Sequence, residues 1–499
     1  MGVEGHNYRK RGTDLNIQTI KQDWFSNIKN DTLAGMTVAF ALIPEAIAFS
    51  IIVGVDPMVG LYASFCIAVL ISFFGGRPGM ISAATGSTAL VMVTLVSQHG
   101  VEYLFAATVL AGIIQFILGA LKFGRFITFV PQAVILGFVN ALAILIFMAQ
   151  LVHFEGASWP MYAMVAGTLL IIYIFPRFTK ALPAPLVAII VMTIITFMTG
   201  LDLKTVGDLG ELSQQLPIFH FPMVDLSFET LMIIFPYSLS VAIVGSLESL
   251  MTATIIDEMT ETKSNKNKEM RGLGIANFVT GFFGAMAGCA MIGQSVVNAQ
   301  SGGRKRLSTF VAGVFLLILV IALSPVVKQV PMAALVGVMF MVSVNTFDWQ
   351  SLKGIWKMPR AEAITMIVTV AIVVGTDNLA LGVLVGVIIS ALVFGWKMSS
   401  IKTTTNMNEG LDSKTYTISG QMFFGTMAHF IDLFDIQDDP EHITIDFTHS
   451  HIWDHSAVTA IAKVMHKYQQ NDKQVTLVGL NDESEKLVKR IGLNALSTH

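Results

Sequence analysis

The chain is poor in charge. Of its 499 residues only 13% are Asp, Glu, Lys or Arg, against the roughly 25% usual for a soluble domain, and 54% are hydrophobic. That balance excludes a soluble enzyme. An excess of positive charge is also missing: 31 Lys and Arg stand against 34 Asp and Glu, for a net charge of -3. The basic residues are scattered rather than massed, which argues against nucleic acid as a partner. Cysteine is nearly absent. The two present, Cys66 and Cys289, lie in apolar stretches, where a small hydrophobic role is expected rather than a disulfide or metal pair. No catalytic triad, nucleotide loop or zinc-protease helix appears. The segment from Met1 to Asp31 is polar, carries five basic residues and has no cleavage-type site, so it is expected to stay in the cytoplasm rather than act as a secretory signal.

What the chain has in abundance is apolar runs. They follow one another from about Thr32 to Lys397, broken by short polar turns, the pattern of many membrane-spanning helices. After Met407 the composition changes: 20 of the 65 charged residues fall in that last stretch. Three parts are expected: a cytoplasmic segment 1–31, a membrane domain 32–398 and a soluble cytoplasmic domain 407–499. Placing spans at the apolar runs gives about fourteen. With the N-terminus inside, the inner turns hold Arg77, Lys122, Arg125, Arg177, Lys180, Lys263, Lys266, Lys268, Arg271, Arg304 to Arg306, Lys353, Lys357, Arg360, Lys397 and Lys402, and the outer turns only Lys204 and Lys328. No basic side chain is left at mid-membrane, and an even span number puts both termini in the cytoplasm.

Seven spans per half is odd, so two copies of a half must lie in opposite orientations. Two segment pairs support such a repeat. Ile43-Pro44-Glu45-Ala46 and Ser246-Leu247-Glu248-Ser249 each put an acid inside an apolar helix, and Ala84-Thr85-Gly86-Ser87-Thr88-Ala89 can be laid beside Met291-Ile292-Gly293-Gln294-Ser295-Val296. Polar, glycine-containing interruptions of this kind mark helices that begin partway through the bilayer, with their first N–H groups free to point into a cavity. Two such N-termini form an anion site without a charged side chain, each acting as roughly half a positive charge. The hydroxyls of Thr85, Ser87, Thr88 and Ser295 and the Gln294 amide add donors. Close helix packing in lipid is the alternative use of such small residues. Glu45 and Glu248 are the acids well inside the predicted spans, and an unpaired carboxylate there is either protonated or holds a cation.

These residues resemble the sulfate-permease family of anion transporters, called SulP in bacteria and solute carrier family twenty-six in animals. The first-half signature is Gly35, Ile43-Pro44-Glu45-Ala46-Ile47-Ala48 and Gly60-Leu61-Tyr62. The second-half signature is Asn267-Lys268-Glu269, Gly272-Leu273-Gly274, Asn277, Gly281, Ser295, Asn298 and Gly302-Gly303-Arg304. Thr376-Asp377 with Gly382 is similar to the turn between the last two spans. The resemblance implies a multi-pass α-helical protein of two inverted seven-span repeats, divided into core and gate domains, that works as a dimer in the bacterial plasma membrane by moving core against gate. The tail is similar to the family's cytoplasmic α/β STAS domain: Ile443 to Phe447 and Val475 to Gly479 read as strands, with Ala457 to Gln469 as a helix between them.

On this reading the substrate-contacting candidates are Glu45, Thr85, Gly86, Ser87, Thr88, Gly293, Gln294 and Ser295. Glu248 stands at the coupling position the resemblance implies, with Thr252 one turn away. No cofactor is implied beyond a bound sodium ion. Sulfate-type members often carry an arginine in a Ser-Arg-Ser/Thr arrangement where this chain has Gly293-Gln294-Ser295. The missing cation favours a monovalent anion: bicarbonate leads, sulfate follows, and a C4-dicarboxylate or a passive anion channel is the alternative. Ile292 stands where sodium would want a hydroxyl, so proton and sodium coupling both stay open. In the tail, Asp454-His455-Ser456-Ala457 keeps part of a STAS phosphorylation motif, with Ser456 read as a helix-start residue. His449, His451 and His455 lack metal-ligand spacing and read as a solvated loop.

Overall fold

The computed structural model describes residues 22–124, 130–179, 183–208, 215–225, 227–376, 378–408 and 412–490. Arg125, Lys180 and Asp377, placed in turns above, lie outside the described residues, as do residues 1–21. The chain divides into two compact units, residues 1–387 and 388–499.

The first unit is helical. Its first series runs α1 (Ile28–Val53), α2 (Pro57–Phe74), the short strand β1 (Ser82–Ala84), α3 (Gly86–His99), α4 (Val101–Ala120), α5 (Gln132–Leu151), α6 (Trp159–Ile174) and α7 (Ala184–Thr199). The second repeats the order: α8 (Phe228–Thr260), α9 (Lys266–Gly281), β2 (Gly288–Ala290), α10 (Ile292–Gln300), α11 (Arg306–Val327), α12 (Met332–Thr346), the short α13 (Trp349–Gly354), α14 (Arg360–Thr376) and α15 (Leu379–Met398), the last of which continues into the second unit. Local signals set the boundaries. Gly54, at φ 82, ends α1 in the left-handed conformation, and Asp56 starts α2 by accepting from Met58 N at 2.7 Å, with Pro57 at the first helical position. Among the described residues eight helices are long and apolar enough to cross a membrane, nine if α12 and α13 with residues 355–357, bent by 42°, make one span. The remaining helices, α3, α7, α9, α10 and α14, have 9 to 17 residues, fewer than the ~20 a perpendicular span needs. Helix length alone therefore does not return the fourteen spans counted from apolar runs.

The two series interlock. Helix α1 packs against α11, α2 against α9 and α11, and α4 against α8 and α9, while α5 and α6 pack against α12 and α5 against α14. At the centre of the first group β1 and β2 pair antiparallel, Ser82 with Ala290, Ala83 with Cys289 and Ala84 with Gly288. A side chain on Gly288 would run into the Ala83 carbonyl, so glycine is what lets these strands meet. Each strand leads, after a single residue, Thr85 or Met291, into a short helix, α3 or α10.

The motif residues of the second half explain themselves as packing and capping. Glu269, buried, accepts from Gly76 N at 2.6 Å and Arg77 N at 2.9 Å. Asn277 Nδ2 donates to Gln115 Oε1 at 2.8 Å and to Gly288 O at 3.0 Å, and its Oδ1 accepts from Gly288 N. Asn298 Nδ2 donates to Gly79 O and to Ser308 Oγ, both at 2.8 Å. Gly274 and Gly112 each lie where a methyl would strike the other's helix backbone, which brings α9 and α4 into close contact.

The second unit is a four-stranded sheet in the order β3 (Lys402–Asn408), β4 (Ser413–Met422), β5 (His442–Ile452), β6 (Gln474–Val478), the first pair antiparallel and the others parallel. With it come α16 (Met427–Ile431), α17 (His455–Gln469) and α18 (Asp482–Arg490). β5 alternates buried and open positions, and Ile443, Ile445 and Phe447 face a core with Tyr416, Phe430, Ile461 and Tyr468. Asp439, buried there, accepts from Tyr416 Oη at 2.7 Å, from Lys414 Nζ at 2.6 Å and from Tyr468 Oη. Burial raises both phenols above their ordinary range. Asp454 caps α17 by accepting from Ala457 N at 2.8 Å, which places Ser456 inside the first turn. His451 lies 3.3 Å from Glu483, and the described residues hold no group of three or more His, Cys, Asp or Glu arranged for a metal.

Candidate anion and coupling site

Both short helices begin without a side-chain cap. Thr85 and Met291 are the N-cap residues of α3 and α10, and neither makes a capping hydrogen bond. The first intrahelical bonds come from Ala89 N to Thr85 O and from Ser295 N to Met291 O, both at 3.0 Å. Helix geometry therefore leaves the N–H groups of Gly86, Ser87 and Thr88, and of Ile292, Gly293 and Gln294, without partners inside their own helices. The helix starts also correct the register of the repeat: Thr85 corresponds to Met291 and Gly86 to Ile292, one residue away from the alignment made on glycines, because capping geometry and not glycine sets where each helix begins.

Each terminus meets an acid from the other half of the unit. Both carboxylate oxygens of Glu45, on α1, accept from Nε2 of Gln294 of α10, at 2.5 and 2.6 Å. Glu248, on α8, accepts from Ser87 Oγ of α3 and from Cys289 Sγ of β2 at 3.1 Å. Both carboxylates are buried. The Glu248 contacts extend into a polar cluster. Thr85 Oγ1 lies 3.1 Å from Ser87 Oγ, 3.0 Å from Thr88 Oγ1 and 3.1 Å from Cys289 Sγ, and Thr88 Oγ1 donates to Ala287 O at 2.9 Å. Ser249, next to Glu248, accepts from Ala290 N at 3.0 Å and anchors α8 to β2.

The structure thus gathers Glu45 with Gln294, and Thr85, Ser87 and Thr88 with Glu248. Gly86 is buried, and a methyl there would meet Phe49 Cε1 of α1 at 3.0 Å and Ile146 Cδ1 of α5 at 3.1 Å. Gly293 is exposed, with nothing within 4 Å of the place a methyl would take. Two candidates face elsewhere. The Ser295 hydroxyl accepts from Ile81 N at 3.0 Å and donates to Ile81 O, so it extends the β1 pairing. The Thr252 hydroxyl donates to the Glu248 carbonyl at 2.7 Å, an ordinary bond along its own helix. Cys289 corrects the reading of both cysteines as plain hydrophobes: it sits at the middle of the polar cluster, and its apolar neighbours in sequence carry no sign of that. A cavity of about 340 Å³ between α4, α8 and residues 221–225 lies apart from these groups, with walls that include Val109, Leu110, Ile113 and Phe282.

The comparisons with known proteins meet this geometry. Residues 28–369 match the model of the sulfate permease family, and residues 402–498 that of the STAS domain. The chain belongs to the sulfate permease family. It is 60% identical over 476 residues to the putative sulfate transporter YbaR of Bacillus subtilis, covering 95% of this chain and 99% of that one. It is 27% identical to the bicarbonate transporter BicA of Picosynechococcus, covering 96% of this chain and 93% of that one. Among solved structures, the transmembrane domain of a cyanobacterial BicA superposes with a TM-score of 0.65 at 27% identity, over 74% of this chain and 98% of that one. The murine Slc26a9 anion transporter, in its inward-facing state, superposes with a TM-score of 0.82 at 16% identity, over 98% and 93%. The fold is that of these helical membrane transporters with a C-terminal STAS domain, and the family is one of transporters of sulfate and bicarbonate, not of enzymes.

Proposed function

We propose that this member is a cation-coupled secondary transporter of a small inorganic anion in the plasma membrane, with both termini cytoplasmic, and that as a homodimer it carries bicarbonate ahead of sulfate by displacing core against gate. The anion is assigned to residues 85–88 and 293–294, with the polar tail outside that site. The observation that carries the reading is the exchange of acids: each uncapped helix start, favourable to negative charge, holds a carboxylate of the opposite repeat. An ionised Glu248 or Glu45 occupies the field the substrate needs, so neutralising the acid and binding the anion favour one another. Coupling is also what import requires, since a negative interior opposes each anionic charge by about 2.3 kcal/mol per 100 mV. Proton coupling is favoured over sodium, because the side chains touching the Glu248 carboxylate are one hydroxyl, of Ser87, and one thiol, of Cys289, and the Thr252 hydroxyl is turned to its own helix, a poor set for an ion that wants several oxygens. The amide at Gln294, in place of a fixed cation, favours the monovalent substrate.

The test is uptake of labelled bicarbonate, sulfate and succinate into proteoliposomes, with proton and sodium gradients imposed separately. Accumulation of bicarbonate or sulfate driven by a proton gradient is expected. Succinate accumulation alone, or flux that never exceeds the electrochemical equilibrium of the anion, would overturn the assignment in favour of a dicarboxylate carrier or a channel.

A further inference from the structure

Beyond making a poor neighbour for sodium, the buried thiol of Cys289 touches three members of the polar cluster, Glu248, Thr85 and Ser87. Its Sγ–H donates to the same Glu248 oxygen, Oε2, that receives the Ser87 hydroxyl, and its sulfur lies 3.1 Å from Thr85 Oγ1. We propose that Cys289 is a positioning residue for proton coupling: it is the second donor that holds Glu248 ionised while the Ser87 hydrogen is committed to the carboxylate, and it sets the pH at which that hydrogen is released toward the anion.

The hydrogen count follows from the geometry. With Glu248 ionised, Ser87 O–H and Cys289 S–H both point at Oε2, and Thr85 has one hydrogen to share among Ser87, Thr88 and Cys289. When a proton reaches Oε2, the carboxyl becomes the donor and Ser87 Oγ the acceptor. The Ser87 hydrogen is then free to turn to an anion at the start of α3, beside the N–H groups of residues 86–88. One proton enters, no covalent bond between heavy atoms changes, and a donor aimed at the carboxylate becomes a donor to the substrate. Anion and proton thereby favour each other reciprocally.

Cys289 stays a donor to the carboxyl in both states, but its bond strengthens when the acceptor is charged. No other titratable group faces the carboxylate among the described residues. On the elements packed against α8, α10 carries no charged residue, α3 carries only His99 at its far end, α4 carries Glu102, held on His220, and Tyr103, whose ring lies against His99, and α9 carries Lys266, Lys268, Glu269 and Arg271 in its first two turns. The side chains that hydrogen-bond the Glu248 carboxylate are Ser87 and Cys289.

This rests on Glu248 as the coupling carboxylate, and the test separates the two ideas. Purified full-length wild type, Cys289→Ala and Cys289→Ser are reconstituted, and uptake of labelled sulfate or bicarbonate, whichever the wild type accumulates, is followed under a fixed pH gradient at a series of external pH values. Anion-for-anion exchange in the same vesicles gauges folding and insertion. Removing the donor in Cys289→Ala weakens the ionised state, so the midpoint of the pH profile is expected to move up by about one unit, a tenfold change in proton affinity. The stronger hydroxyl donor of Cys289→Ser is expected to move it down. A purely structural thiol predicts reduced rates with unmoved midpoints, and that outcome, or midpoints moving in the same direction, overturns the role of Cys289. A wild type that accumulates neither anion under a proton gradient removes the coupling reading beneath it.

Discussion

The sharpest perturbation of the proposed anion site is a single methyl at Gly293. This residue is the second of α10, its backbone is not in the left-handed region, and nothing lies within 4 Å of the position a Cβ would take. Gly293→Ala therefore meets no neighbour, and by propensity it stabilises the helix by up to about 1 kcal/mol. The thermal midpoint should hold or rise slightly. The methyl would nevertheless stand beside the unpartnered N–H groups of residues 292–294, where an anion must approach to roughly 2.9 Å. Losing one charge-assisted bond costs about 1.5–3 kcal/mol, which is roughly ten- to a hundredfold in affinity. Gly86→Ala is the contrasting case, since its methyl presses on Phe49 and Ile146 and should lower stability as well as affinity, by about 1–3 kcal/mol for overpacking. Affinity is read from the concentration dependence of exchange in proteoliposomes, and stability from thermal unfolding of the same preparations. A Gly293→Ala protein with wild-type affinity would move the substrate away from the start of α10.

Three further outcomes are expected. Glu248→Gln imitates the protonated acid, so it should keep anion-for-anion exchange and lose accumulation driven by a proton gradient; unchanged concentrative uptake would take Glu248 out of the mechanism and leave Glu45 as the coupling acid. Truncation before Met407 should alter rate, assembly or trafficking while substrate affinity stays within about twofold of full length, as expected for mutually independent sites; a well-inserted truncation that no longer binds would contradict the assignment of the site to the membrane unit. Asp439→Asn leaves the Lys414 ammonium without its partner and two buried phenols with a weaker acceptor, so the tail should lose about 3 kcal/mol of stability, seen as an earlier unfolding transition with exchange affinity unchanged.

Much of this architecture is legible in the residues because the signals are local. The Thr-Gly-Ser-Thr interruption at 85–88 announces a helix start, acids inside apolar helices are conspicuous at Glu45 and Glu248, and the charge break at Met407 falls within β3 of the second unit, which begins at residue 388. What the residues hide is long-range. β1 and β2 are three residues each, Ser-Ala-Ala and Gly-Cys-Ala, too short to show alternation, and they are strands only because each supplies the other's partners across some 200 residues of chain. Ser295 looks like a site hydroxyl, but its partner is the Ile81 backbone. Cys289 looks like filler, and only the pairing of β2 beside α3 turns its thiol toward Glu248. The one-residue error in aligning the repeats has the same origin, because glycines were matched where capping residues are equivalent.

Under the proposed assignment of anion and proton, the charge count at the site ties substrate charge to proton number. Two helix starts supply about +0.5 each, and Glu45 and Glu248, when both are ionised, supply one negative charge apiece, so the empty site carries roughly one net negative charge. A monovalent anion entering with one proton on Glu248 leaves that total unchanged, and the loaded and empty forms cross the field with the same charge. A divalent anion entering with one proton makes the site more negative by one. It returns to the empty value only if a second proton neutralises Glu45, which frees the Gln294 amide from a charged acceptor and leaves it as the remaining donor on that side. In the sulfate-type arrangement an arginine supplies that charge permanently. Here the neutral amide makes a divalent substrate depend on titrating both acids, one from each repeat, whereas a monovalent substrate needs only Glu248. On this proposal the residue at 294 bears on which anion is carried and on how many protons accompany it.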